Sequence, residues 1–97
     1  LVNPAVLLDV LDKIDNILEY QVIIQKSESE DEFSMDEMLV RVATNDADQK
    51  LIGTQVIGAA AAAIGVRPRV VFVRANEIFD PNKQAKAVRL IDRRLAV

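Results

Sequence analysis

The run "GAAAAAIG", residues 58–65, constrains the fold more than any other stretch of this chain. Apolar residues before and within the run recur at helical spacing, which predicts a long helix that ends near Ile64. Gly65 and Pro68 form a stop signal after it. Capping residues at 44–46, with Asp48 close by, predict its start. Its small side chains allow close packing on a sheet, and its inner face is predicted to comprise Leu51, Ile52, Val56, Ala59, Ala60 and Ala63.

Three short stretches rich in β-branched residues predict strands. They are "YQVIIQK" (residues 20–26), "MLVRVAT" (38–44) and "RVVFVR" (69–74). The acidic stretch 27–37 lies between the first two and has no useful period, so it is interpreted as a hairpin loop at the periphery. The first two strands are therefore predicted to pair antiparallel.

An amphipathic helix is predicted ahead of the first strand. Asn3 suits an N-cap and Pro4 suits the first helical position. Apolar residues then recur at spacings of four, three and four, which predicts a helix of about 14 residues with one buried face. That stripe consists of Leu7, Leu11, Ile14 and Leu18.

The order of elements is α-β-β-α-β plus a closing segment. It predicts an α+β domain with a small sheet of about three or more strands covered by two helices. The 97 residues suffice for a single domain. Residues 87–95 fit a strand and a helix equally well, and the pattern leaves that choice open.

Composition excludes several kinds of chemistry. The chain has no Cys and no His, so thiolate catalysis is excluded and a metal site is not expected. No signal peptide is visible, and the weakly polar run 56–66 is shorter than the roughly 20 residues that a membrane span needs. We expect a cytoplasmic protein without a membrane partner. Because the chain starts at Leu1 in the middle of a pattern, we expect it to be a domain of a longer protein.

Charge is unevenly distributed over the chain. The formal net charge is −3, yet eight cations lie from Arg67 to the end, against Glu77, Asp80 and Asp92. Such a basic region suits a polyanion, for example a nucleotide or a coenzyme, although a solvated surface has the same pattern.

Three stretches carry a resemblance to a known family. "NPAVLLDVLDKI" is similar to a first helix entered just after an interdomain hinge, "EYQVII" to a first strand, and "AKAVRLIDRR" to a closing Gly-Lys segment. "IGVRPRVVFV" also fits in place and character. The chain thus resembles the C-terminal domain of the phenylacetate–coenzyme A ligase family, a branch of the adenylate-forming enzymes, over nearly all of its length.

This resemblance implies a role in a two-step ligase reaction. A large N-terminal domain, absent from this chain, would bind ATP with Mg²⁺ and an aryl or related carboxylic acid. The acid is converted to an acyl-adenylate with release of pyrophosphate. The lid domain, residues 1–97, then rotates, and coenzyme A releases acyl-CoA and AMP. The isolated domain is expected to be inactive and to bind no cofactor alone, and a homodimer is compatible with the resemblance.

The resemblance also implies the site residues. By position, Lys86 is the lysine that serves adenylation. Arg89 and Lys83 are expected to support the phosphates or the domain interface. The family's glycine before the lysine is Ala85 here, which places the geometry of this loop in doubt. Neither the acid nor the acceptor can be read from these residues.

Two other classes of function stay open. A stand-alone regulatory module of α+β type would bind a small molecule without an upstream domain. An RNA-binding module would need aromatic side chains on the sheet for base stacking. The strands offer only Tyr20 and Phe72, so this class is the less favoured one, and no nucleic-acid partner is expected.

Overall fold

A computed structural model describes residues 5–26, 36–45, 48–83, 85 and 87–93. The helices are α1 (Ala5–Leu11), α2 (Gln49–Ile64) and α3 (Ala75–Ile78). The strands are β1 (Ile17–Lys26), β2 (Asp36–Thr44), β3 (Arg69–Phe72) and β4 (Leu90–Asp92). The chain is therefore α+β, as predicted. Of the helices in those ranges, none has the length and apolar character that a bilayer crossing requires.

The four strands form one sheet in the order β3-β2-β1-β4. β1 and β2 are antiparallel, as predicted, whereas β3 runs parallel to β2 and β4 runs parallel to β1. The ambiguous closing residues thus form a short edge strand.

One face of the sheet and the two longer helices build the core. Because strand side chains alternate between faces, β1 and β2 each place every second residue under α1 and α2. The most buried side chains of this layer are Leu7, Leu11, Tyr20, Val22, Ile24, Met38, Val40, Val42, Ile52, Val56 and Ala60. The opposite face carries α3, which contacts both central strands and buries Ile78.

The predicted C-terminal end of α2 agrees with the structure, whereas the helix starts later than the capping cluster at 44–46 indicated, and its predicted inner face agrees in part. Asp48 is the N-cap, and its carboxylate accepts from the Lys50 and Leu51 amides at 3.0 and 3.4 Å. Gly65 ends the helix at φ 70°, and its amide donates to Ala61. Leu51, assigned to the inner face, is instead 56% exposed.

The first helix is shorter than the prediction of about 14 residues. After Leu11 the amides of Lys13 and Ile14 bond three residues back, and Asn16 turns the chain at φ 69°. Ile14 still packs on the core from this turn. The apolar stripe therefore continued past the helix end, and Leu18, placed in that stripe, is 53% exposed in β1.

Candidate functional site

Residues 87–93, here called the closing segment, are fixed along the outer edge of β1. The Val22 amide donates to the Arg89 carbonyl at 2.7 Å, and the Arg93 amide donates to the Ile24 carbonyl at 2.7 Å. Between these bonds, Leu90 lies opposite Val22 in parallel register. The backbone course of this segment is therefore set by β1.

A buried amide makes a further connection to the closing segment. Gln21 of β1 is only 6% exposed. Its Nε2 donates to the Val88 carbonyl at 2.9 Å, and its Oε1 accepts from Arg41 Nη1 at 2.8 Å. Arg41 Nη2 also donates to the Glu77 carbonyl in α3 at 3.3 Å. Gln21 and Arg41 thereby connect β1, β2, α3 and the closing segment on the face away from α1 and α2.

The side chain of Arg89 lies among three groups from the beginning of the chain. Its Nη1 is 3.6 Å from Asp12 Oδ1, and its Nη2 is 4.0 Å from Glu19 Oε2. Its guanidinium carbon lies 5.2 Å from the centroid of the Tyr20 ring, which is cation–π distance. Glu19 Oε2 is buried and has no hydrogen-bond partner, so the charge of Arg89 provides its nearby electrostatic compensation.

Tyr20 connects this arginine cluster to α1. Its hydroxyl donates to Asp12 Oδ1 at 2.7 Å and lies 3.2 Å from the Leu8 carbonyl. Burial raises the pKa of the Tyr20 phenol above its usual range, the bond and charge of Asp12 raise it further, and Arg89 opposes the shift. The phenol is thus a neutral donor at ordinary pH.

Of the three site residues predicted from the sequence, Lys83 and Arg89 lie within the described residues. Lys86 lies outside the described residues, so its prediction has no structural account here. Lys83 is exposed in the turn after α3, where its amide donates to the Asp80 carbonyl at 2.9 Å. Ala85 is exposed. Arg89 lies in the cluster with Asp12, and its expected support of phosphates or an interface stays a prediction.

The described part of the chain does not group three or more His, Cys, Asp or Glu side chains closely enough to hold a metal ion. Sequence reasoning interprets the Tyr20-Gln21 pair as a structural start of the first strand rather than as a ligand contact, and it misses Asp12. A polar residue in the middle of the apolar stretch "YQVII" was the available signal for Gln21. The sequence around Asp12 did not indicate its role, because its partners Tyr20 and Arg89 lie 8 and 77 positions away in the chain.

Comparison with known proteins gives a family match over nearly the whole chain. The sequence profile described as "AMP-binding enzyme C-terminal domain" matches residues 1–94. No match was found among curated proteins.

Solved structures share the fold. A 2-hydroxyisobutyryl-CoA ligase in complex with 2-HIB-AMP and CoA, in the thioesterification state, is 25% identical with a TM-score of 0.68, over 96% of this chain and 20% of that chain. The same ligase in the postadenylation state is 23% identical with a TM-score of 0.67, over 94% and 19%. A domain of phenylacetate–coenzyme A ligase from Bacteroides vulgatus ATCC 8482 is 22% identical with a TM-score of 0.70, over 97% and 86%. The chain thus spans about a fifth of the full-length ligase it matches.

Proposed function

The chain belongs to the family of AMP-binding enzyme C-terminal domains, and we propose that it is the lid of an AMP-forming aryl acid–CoA ligase of the phenylacetate type. The large N-terminal domain of the same polypeptide is its partner and holds MgATP and the acid. Coenzyme A is the acceptor in the second step.

The proposed reaction has two balanced steps. A carboxylate oxygen of the acid attacks the α-phosphorus of ATP, and the bond from that phosphorus to the oxygen bridging to the β-phosphate breaks with loss of pyrophosphate. The thiolate of coenzyme A then attacks the acyl carbon, and AMP departs. The first step builds negative charge on the entering and leaving oxygens, and the ammonium of Lys86 neutralises it in a closed site that excludes water.

The family match over residues 1–94, which includes the closing basic stretch, is the observation that carries this proposal. It is supported by the ligase described with an acyl-adenylate and CoA. It is also supported by the attachment of the closing segment to β1, which fixes the backbone of the tail from Val88 to Arg93. Phenylacetate as the acid rests on the sequence resemblance alone.

The test uses the chain together with its native upstream coding region. ATP–pyrophosphate exchange is measured with phenylacetate and related acids for the native enzyme, Lys86→Ala and Lys83→Ala. We expect Lys86→Ala to lower the exchange rate by about 10²–10³. Lys83→Ala is the comparison, since it removes an exposed lysine three residues away whose expected role is only to support the phosphates or the domain interface, and its exchange should fall far less than that of Lys86→Ala.

Normal exchange by Lys86→Ala would refute the role of this lysine. Absence of acid-dependent exchange by the native protein would refute the ligase proposal, and the regulatory-module alternative would then be the stronger one.

A further inference from the structure

Gln21 is a buried polar residue in the middle of the sheet, and both ends of its amide are used. A buried amide is tolerated only when its donor and acceptor are satisfied. The Val88 carbonyl can only accept and the Arg41 guanidinium can only donate. The orientation of the Gln21 amide is therefore fixed by its two partners.

Arg41 holds Gln21 in this rotamer. Its guanidinium bonds Gln21 Oε1 with one nitrogen and the Glu77 carbonyl with the other. A planar fork fixed at two points cannot rotate without losing a bond. The orientation of Gln21 is thus set by β2 and α3, and neither of these elements is part of the closing segment.

The bond from Gln21 meets the closing segment at the Val88 carbonyl, near its beginning. The backbone of β1 pairs with the segment over Leu90–Asp92, and further bonds involve Arg89 and Arg93 on either side of that ladder. The bond to the Val88 carbonyl is the described contact of the segment that is nearest to Lys86 in sequence, two residues away.

We propose that Gln21, oriented by Arg41, is a positioning residue for the adenylation step. This inference rests on the proposed function of Lys86. Gln21 fixes the closing segment at Val88, so that the ammonium of Lys86 is delivered to the α-phosphate within the narrow tolerance that the step requires. A misplacement of about 1 Å in such a site costs up to roughly a hundredfold in rate.

The test substitution is Gln21→Glu in the full-length enzyme. It keeps the size of the side chain and its pairing with Arg41, but a carboxylate oxygen replaces the donor and repels the Val88 carbonyl. Gln25→Glu is the matched control. It is the same substitution on the same strand and the same face, and Gln25 Oε1 contacts only Arg93 Nη1 among the described contacts, at 3.5 Å.

The two half-reactions are measured separately on the same preparations. For Gln21→Glu we expect the kcat of ATP–pyrophosphate exchange to fall about ten- to a hundredfold, with the KM for ATP unchanged within about twofold, since an interaction made in the transition state affects kcat and not ground-state binding. Formation of thioester from preformed acyl-adenylate and coenzyme A should stay near native and shows that the lid is folded. Gln25→Glu should be near native in both.

Arg41→Leu tests the orientation of Gln21 through its partner in β2. It removes the group that orients Gln21 without touching the closing segment, so the same selective loss of exchange is expected, with thioester formation retained.

Two results would overturn the inference. One is a loss of both half-reactions by a common factor in Gln21→Glu, because that indicates a purely structural role. The other is exchange equal to that of Gln25→Glu. If Lys86→Ala abolishes exchange while Gln21→Glu does not, only this inference fails. If Lys86→Ala exchanges normally, the proposed function fails and this inference with it.

Discussion

Replacement of Arg89 by leucine is expected to lower the free energy of unfolding of the domain by about 1–2 kcal/mol. The guanidinium pairs with Asp12 at 3.6 Å and with Glu19 at 4.0 Å, and it lies over Tyr20. Because 46% of the Arg89 side chain is exposed, water screens both pairs, and each contributes about 0.2–1 kcal/mol. The cation–π contact contributes about 0.5–1 kcal/mol.

The environment of Glu19 moves the expected value toward the upper end of that range. Its Oε2 is buried without a hydrogen-bond partner, and Arg89 is the cation beside it. In Arg89→Leu this oxygen loses its compensating charge, and a buried charge without a partner is costly. Leucine keeps part of the apolar stem of arginine, so the substitution tests the charge more than the packing.

The assay is urea and thermal unfolding of the 97-residue domain, with Arg67→Leu as the control. Arg67 is an exposed arginine in the connection between α2 and β3. A loss of 1–2 kcal/mol corresponds to a fall in Tm of about 5–15 °C for a domain of this size. The difference should shrink in about 1 M salt, where the Debye length is only about 3 Å.

Arg89→Lys separates charge from shape, because it keeps the ion pairs and loses the planar stacking on Tyr20. It should recover about half of the loss. If Arg89→Leu unfolds like Arg67→Leu, within about 0.5 kcal/mol of the native domain, the cluster contributes nothing and the reasoning from its geometry is wrong.

Three further substitutions test local features. Gly65→Ala should destabilise the domain by about 1–2 kcal/mol because of the positive φ at the end of α2, whereas Gly58→Ala, inside the helix with open space around its new Cβ, should stabilise it by about 0.5–1 kcal/mol; urea unfolding of both compares them. Tyr20 is the only tyrosine, and its raised folded-state pKa means that its contribution to stability is fully present below about pH 10 and is lost as the pH rises further. Native domain should therefore lose stability above that pH relative to Tyr20→Phe, and phenolate absorbance should report the raised pKa; equal pH profiles for the two would contradict it.

Local signals predicted the longer elements of this fold. The Gly65 stop and the three β-branched stretches each depend on neighbours in sequence, and each was confirmed in type. The capping residues of α2 were predicted at 44–46, whereas the N-cap is Asp48. The predicted length of α1 was wrong because Ile14 remains partly buried against the core after the helix has ended. Apolar spacing reports burial, and a turn packed on the core continues the same pattern.

The closing segment could not be assigned from its own residues. β4 has three residues, fewer than a period-2 pattern needs to be distinguished from a helical turn. Its conformation is set by β1, about seventy positions earlier in the chain, through backbone bonds and through Gln21. Arg89 was predicted from the sequence as a candidate site residue, and its partners Asp12, Glu19 and Tyr20 could be found only from the fold.

The same geometry changes how the basic end of the chain should be interpreted. The number of cations suggests a strong positive electrostatic potential that would attract a polyanion. However, Arg89 lies within 4.0 Å of Asp12 and Glu19. Arg69 pairs with Glu37 at 3.1 Å. These charges are partly neutralised by acids that sequence position assigns to other regions. The attraction of this surface for a nucleotide is thus weaker than the composition implies. The proposed adenylation step therefore depends on Lys86 rather than on the size of the basic cluster, and this is why the contacts that fix the closing segment bear directly on that proposal.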